Sequence, residues 1–365
     1  MRINYLNFLE QWKEEKKYLL PLIENVLSSG QYIGVNTKET EKLEKNLSIY
    51  FKRKIVTLNS GTDALTIALH ALGVKRGDEV ITVANSFIAS ASSIAHLGAV
   101  PIFIDVLPDQ NINPEKIEEV ITKKTKAIMV VHLTGRSCNM DEILKIVKKR
   151  NIFLVEDCAQ AFGTKYKDKL CGTFGDIACF STHPLKNLRA MGDGGFIVTN
   201  NKSLEFKIKT LRNHGLKNRD EALYFGYNSR MDNIQSAILN FRLKNIDSII
   251  KKRRSNALYY FKNLNKNIIF FPEETKEQYN TYHTFVIQVK RNRDKLKEYL
   301  KKNKIDTYIN YPIPIHKQKF FIKKYKKFDL PNTEKQSKNI LCLPIHHSLT
   351  EGQLEYIVKI INRFF

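Results

Sequence analysis

Ile55-Val56-Thr57-Leu58-Asn59-Ser60-Gly61-Thr62-Asp63-Ala64-Leu65 opens as an apolar run, breaks at Ser-Gly-Thr and resumes as a helical pattern through Leu72. It reads as a short strand, a tight junction and a helix, one βα unit. The alternation repeats outward from it. Upstream, 37–51 reads as a helix with Leu43, Leu47 and Tyr50 on one face and Thr37 as a candidate cap. Downstream, strands are expected at 79–83, 100–104, 127–131 and 152–155, and helices at 87–97, from Pro114 with Asn113 as its cap, and at 141–149. Further strands at 174–182 and 195–199 and a helix at 204–212 complete the series. Continuous apolar strands alternating with helices predict an α/β fold, with a mainly parallel sheet covered on both faces.

The texture changes after Gly215. One long basic helix is expected at 233–264, then a strand at 283–289, a helix at 293–303, a Pro-rich loop at 311–316 and a closing helix at 352–364. This reads as a smaller α+β domain. The chain has 365 residues and a formal net charge of +23, of which +7 falls in residues 1–240 and +16 in 241–365. Texture and charge together set the expected boundary: a large domain over 1–240 and a small C-terminal one over 241–365. With 42% apolar residues the chain is neither disordered nor collagen-like.

The N-terminus has no signal-peptide core, and no run of about 18 apolar residues occurs. The five cysteines are scattered and form no C-x-x-C pair. A cytoplasmic chain without membrane contact is expected, with no metal site. His346-His347 lacks the i, i+4 spacing of a zinc helix.

Three signals carry chemistry. Ser60-Gly61-Thr62 lies where a helix presents free N–H groups, so it reads either as a phosphate cradle or as a plain N-cap. Asp157, at the end of the apolar run 152–155, reads either as a ligand carboxylate at a strand end or as a helix cap. Lys186 follows the strand ending in Phe180-Ser181-Thr182 and reads either as an amine nucleophile or as a solvated lysine. Gly192-Asp193-Gly194-Gly195 is a tight turn without dinucleotide-fingerprint spacing. In this order on one α/β domain, the three signals match the needs of pyridoxal phosphate: an anion site, a carboxylate for the pyridinium and a lysine for the aldehyde.

The chain resembles the sugar-nucleotide aminotransferases of the DegT/DnrJ/EryC1/StrS family over about residues 27–361. The matching stretches include S-G-T-D-A-L (60–65), E-D-C-A-Q-A (156–161), H-P-L-K-N-L (183–188), G-D-G-G (192–195), G-Y-N-S-R-M-D (226–232) and Y-P-I-P-I-H (311–316). The resemblance implies the aspartate-aminotransferase (type I) fold and pyridoxal 5'-phosphate as cofactor. It implies that Lys186 carries the cofactor aldehyde and acts as acid and base. Asp157 would face the pyridinium nitrogen and Gln160 the ring hydroxyl. Gly61, Thr62 and Ser181 would hold the phosphate, Phe87 would stack on the ring, and Asn228 would reach the phosphate of a neighbouring subunit. A homodimer with shared active sites follows from that last role.

His183, Tyr311 and His316 are candidates for the sugar-nucleotide pocket or for loop packing. By resemblance, L-glutamate is the amino donor, and the acceptor is the 3-oxo carbon of a dTDP-3-oxo-6-deoxyhexose. Amination of a UDP-, GDP- or dTDP-4-keto-6-deoxyhexose is the alternative. Thr182, Arg189, Phe162 and Thr134 depart from the family pattern, which bears on the substrate pocket. The rival of another class is a nucleic-acid-binding or regulatory protein. It rests on the basic clusters 251–254 and 323–327, with no zinc-finger, RNP or helix-turn-helix motif to support it. No nucleic-acid partner is expected.

Overall fold

A computed structural model describes residues 2–267, 269–325 and 327–365. Two amphipathic helices, α1 (Phe8–Ser28) and α2 (Lys38–Phe51), lead into the first strand. The alternating region follows as β1 (Lys54–Leu58), α3 (Gly61–Ala71), β2 (Glu79–Val83), α4 (Ala89–His96), β3 (Val100–Ile104), α5 (Ile117–Val120), β4 (Thr125–Val131), α6 (Met140–Arg150) and β5 (Phe153–Asp157). A ribbon, β6 (Lys165–Tyr166) and β7 (Lys169–Leu170), precedes β8 (Ile177–Ser181), β9 (Gly195–Thr199) and α7 (Lys202–Leu211). The rest comprises α8 (Asn233–Leu243), α9 (Ile246–Asn263), β10 (Ile269–Phe270), β11 (Gln278–Tyr279), β12 (Phe285–Val289), α10 (Arg293–Lys302), α11 (Lys319–Lys324), α12 (Pro331–Asn339), β13 (Ile340–Leu343) and α13 (Glu351–Phe364).

Seven strands form one sheet in the order β1-β9-β8-β5-β4-β2-β3. β3, β2, β4, β5 and β8 pair in parallel, and β9 runs antiparallel to both β8 and β1. Ala127 to Val131 are all buried, as a central strand covered on both faces must be. One face packs on α3, α4 and α7 through Leu65, Leu69, Ile94 and Ile208. On the other side, Leu43, Leu47 and Phe51 of α2 join Phe180 and Phe196. A separate core gathers around the antiparallel sheet β10-β12-β13, with Leu296, Leu300, Ile357 and Ile361 from α10 and α13. The α/β architecture and its mainly parallel sheet stand as expected.

Several expectations are corrected. The helix expected at 233–264 is two helices. α8 ends at Leu243, and Asn245 (φ −108, ψ 4) starts the next. Asparagine competes with the helix through its own side chain, and the helix after the break serves two cores. Leu239 of α8 and Ile246 and Ile250 at the start of α9 pack with α2 and the large sheet, whereas Ala257 and Tyr260 join the small core. Thr37 makes no capping bond, because its hydroxyl goes to Thr40 Oγ1 at 2.8 Å. Asn113 does cap, accepting from Glu115 N at 3.1 Å, but Pro114–Lys116 is a single 3-10 turn. The helix expected at 87–97 starts at Ala89 and leaves Phe87 outside it. The strand expected at 174–182 is shortened to Ile177–Ser181, because Phe174 and Gly175 give their N–H groups to a buried carboxylate instead of a ladder.

Candidate active site

The site forms where β1, β5 and β8 end. β5 and β8 are parallel, so Asp157 and Ser181 leave the sheet on one edge. Gly195, the first residue of antiparallel β9, pairs with both Leu58 and Ser181 at that edge. A Cβ on Gly195 would stand 2.6 Å from Ser60 carbonyl atoms and 2.7 Å from the Phe180 oxygen. Glycine therefore lets the β1–α3 junction close onto β8. A Cβ on Gly61 would come within 2.5 Å of Ser181 Cβ, so the α3 N-terminus rests directly against Ser181. Ser60 caps that helix, accepting from Asp63 N at 3.0 Å. The remaining free N–H groups and the helix dipole face the same edge, which suits a phosphate.

Asp157 is the last residue of β5 and is 5% exposed. Oδ1 accepts from Ala159 N at 3.1 Å and Oδ2 from the Ser90 hydroxyl at 2.9 Å, and Ser86 lies 2.7 Å behind Ser90. Burial raises its pKa, and Ala159 N–H, Ser90, Lys186 and His132 oppose that rise. Lys186 is half-buried on a loop closed by a bond from Ala190 N to Thr182 O at 2.7 Å. Desolvation pushes its ammonium down to about 8, against the pull of Asp157. A cation on a loop and a carboxylate on a strand end thus face each other across one edge.

Gln160 accepts from Thr134 N at 2.8 Å and donates to the Tyr311 hydroxyl at 3.4 Å. The Tyr311 ring lies 6.0 Å from that of Phe87, which is 54% exposed. Tyr311 keeps its proton, because burial and then the charge of Asp157 raise its pKa. Gln160, Tyr311 and Phe87 therefore join the Asp157 group. His183 Nδ1 accepts from Leu185 N at 3.2 Å, and burial lowers its pKa, with Asp193 opposing and Lys186 adding to the shift. His316 is not free to face the site through Nε2, which lies 3.1 Å from Glu334. Asn228 is exposed and accepts from Arg230 at 2.9 Å. Tyr32, Ile33 and Phe225 are exposed apolar side chains, Phe225 completely.

Sequence reading missed the shell beneath Asp157. His132 gives its main-chain N–H to the Asp157 carbonyl at 3.1 Å. Its ring accepts from Cys138 N at Nδ1 (3.1 Å), so Nε2 is the donor to Glu156 at 3.0 Å. Glu156 also accepts from Gly172, Phe174 and Gly175 N–H groups at 2.7–2.8 Å. These bonds hold its pKa down although burial pushes up. His132, Glu156 and Cys158 bring three ligand atoms within 4.8 Å. The four hydrogen bonds fill the lone pairs of Glu156, however, and burial keeps the Cys158 thiol protonated, which leaves little for a cation. Ser86 and Ser90, four residues apart, were the one sequence signal for this shell.

A cofactor with a phosphate, a ring nitrogen and an aldehyde fits these residues. The cradle would be filled by a Cβ at Gly61, a buried carboxylate stands at the strand end, and a lysine has a depressed pKa.

The model of the DegT/DnrJ/EryC1/StrS aminotransferase family matches residues 13–362. Over 372 residues the chain is 38% identical to a pleiotropic regulatory protein of Geobacillus stearothermophilus, covering 100% of this chain and 99% of the relative. Over 353 residues it is 40% identical to the dTDP-3-amino-3,6-dideoxy-alpha-D-galactopyranose transaminase of Aneurinibacillus thermoaerophilus, covering 96% of each. The structure of NtdA from Bacillus subtilis with bound cofactor PMP superposes with a TM-score of 0.90 at 33% identity, covering 96% of this chain and 82% of that one.

Proposed function

This chain belongs to the DegT/DnrJ/EryC1/StrS aminotransferase family, and from that premise we propose that it transfers an amino group from L-glutamate to the 3-oxo carbon of a dTDP-3-oxo-6-deoxyhexose, with pyridoxal 5'-phosphate as cofactor. The enzyme class is a sugar-nucleotide aminotransferase. The observation that carries the reading is the meeting of Asp157, Lys186 and the α3 N-terminus on one sheet edge. The 3-position is supported by the 40% identity to a transaminase named for a 3-amino sugar.

When bound, pyridoxal phosphate supplies an aldehyde that takes the amino group and a pyridinium ring that accepts the electron pair left at the donor's Cα. The chain's residues divide the remaining work. The α3 N-terminus with Gly61, Thr62 and Ser181 holds the phosphate. Asp157 holds the proton on the ring nitrogen, and Ser90 and Ala159 N–H fix the carboxylate's direction. Gln160, oriented by Thr134 N–H, meets the ring hydroxyl. Phe87 would cover the ring and keep water from one face. Lys186 would take the proton from the donor's Cα and deliver it to the carbon of the former aldehyde; an amine near pKa 8 exchanges protons readily near neutral pH. His183, Tyr311 and His316 stand as sugar-nucleotide contacts, His316 only through the ring edge not turned to Glu334. Asn228 serves the site of a second copy. That homodimer is supported by its exposed position and by the exposed Tyr32, Ile33 and Phe225.

The absorbance of purified protein tests the cofactor. A visible or near-ultraviolet band is expected, and it is lost on Lys186→Ala. Protein that takes up no pyridoxal phosphate sinks the reading. Single-turnover loss of the pyridoxamine form against a panel of 3-oxo and 4-keto sugar nucleotides tests the position; reaction only with 4-keto substrates replaces it by 4-amination. A regulatory role beside catalysis is favoured by the name of the 38% relative. Salt-dependent binding of duplex DNA by the holoenzyme is the result that would support it.

A further inference from the structure

The serine hydroxyls around α4 are used in two ways. Ser92 and Ser93 turn theirs back on the helix, to the Ala89 and Ser90 carbonyls at 3.5 and 3.3 Å, as helical serines commonly do. Ser90 does not. Its hydroxyl leaves the helix for Asp157 Oδ2 at 2.9 Å. Ser86, just before the helix, stands 2.7 Å from the Ser90 oxygen. Both serines are buried.

The direction of each bond follows from the protons available. A serine hydroxyl carries one, and an ionised carboxylate can only accept. Ser90 therefore gives its proton to Asp157, and the bond between the two serines is donated by Ser86. The order runs one way, from Ser86 to Ser90 to Asp157. The stretch before Ser86 is held firmly. The Ala84 carbonyl accepts from Ile315 N, and Asn85 Nδ2 donates to the Gln110 carbonyl, both at 2.8 Å.

The supports of the Asp157 charge differ in kind. Burial pushes its pKa up, and the Ala159 N–H, Ser90, Lys186 and His132 oppose that push. The Ala159 bond is main-chain and lies two residues along the same turn. Lys186 is the amine proposed to take the cofactor aldehyde, so its charge is not a standing support. Ser90 is the one side chain that hydrogen-bonds to the Asp157 carboxylate among the described residues.

We propose that Ser86 and Ser90 are positioning residues, a one-way pair of hydroxyls that keeps the negative charge on Asp157 and so the shared proton on the cofactor's ring nitrogen. A donated hydrogen bond favours the charged form of a carboxylate. Ser86 polarises the Ser90 hydroxyl and strengthens the bond it donates. Without the pair, Asp157 competes better for the shared proton, and the ring pulls less on the donor's electron pair. The inference rests on the amino-transfer function proposed above and adds what holds its carboxylate in the working charge state.

The test is nitrogen NMR of the holoenzyme, with pyridoxal phosphate isotopically labelled at the ring nitrogen. The chemical shift reads where the proton sits. The wild type is expected to give the pyridinium value. Ser90→Ala is expected to move the resonance towards the unprotonated pyridine value, and Ser86→Ala to move it less in the same direction. Ser90→Thr keeps the hydroxyl and is expected to restore the wild-type value. Single-turnover conversion by saturating L-glutamate should be about tenfold slower in Ser90→Ala, with the apparent Kd for glutamate unchanged. An unmoved resonance in Ser90→Ala overturns the proposal. So does the same movement in Ser90→Thr, since the hydroxyl would then not be what matters. Ser86→Ala decides by its resonance if Ser90→Ala does not fold. Failure of the underlying function is a different result: a wild-type protein that takes up no labelled cofactor.

Discussion

Glu156 and Arg189 are both buried charges near the same sheet edge, and they are treated in opposite ways. Glu156 receives four hydrogen bonds, from His132 and three main-chain N–H groups, and no lone pair is left over. Arg189 has two buried N–H-bearing atoms with no partner at all. The first pattern belongs to a charge that builds the protein. It locks His132 in one tautomer and stiffens the strand end that carries Asp157. The second is a buried charge that no side chain among the described residues answers. Satisfaction of hydrogen bonds, more than burial or charge, separates these two buried groups.

Four measurements press on this contrast. The largest effect is expected at Lys186, the one site residue proposed to move a proton: Lys186→Ala should lower the transamination rate by about 10³-fold or more in single-turnover kinetics. Glu156→Gln comes next. It leaves inward-facing N–H groups against an amide nitrogen and should cost about 3 kcal/mol in urea unfolding. A loss near zero would show that the network is not structural. Gly61→Ala should cost about 2 kcal/mol in folding or in cofactor affinity, because the new methyl meets Ser181 Cβ at 2.5 Å; fluorescence titration of the apoprotein with pyridoxal phosphate reads it.

The smallest effect is a pH dependence. With its folded pKa near 8, the Lys186 amine is mostly protonated at neutral pH. Below that value the neutral fraction, and with it the rate of cofactor uptake by the apoprotein, should fall about tenfold per pH unit. Above it the rate levels off. The same shift makes stability rise with pH between about 8 and the unfolded value of 10.5, because the unfolded chain binds the proton over that window.

Much of the fold was legible because its strands are continuous apolar runs between helical patterns. β2, β3 and β9 fall where the runs are. What could not be read was where one helix serves two cores. Residues 233–264 carry a helical pattern, yet the chain breaks at Asn245, and it is α9 alone that passes from the core of Ile246 and Ile250 to that of Ala257 and Tyr260. Near the site, the places of Asp157 and Lys186 at or just after strand ends were legible, whereas Gln160 came only from the family resemblance. His132 and Ser90 were not legible, since each acts through a partner far away in sequence.

The chain's sequence by itself determined the alternation that makes the sheet, the strand-end position of Asp157 and the glycines at 61 and 195. These depend on local periodicity and on the size of single residues. The tertiary structure alone decided which charges were answered. Whether Arg189 finds an acceptor depends on Arg242, Arg253, His283 and His347 arriving from four other segments, and on Glu15 being taken already. Hydrogen bonding is short-ranged and directional, so the balance of a buried charge is settled only when every neighbour is in place.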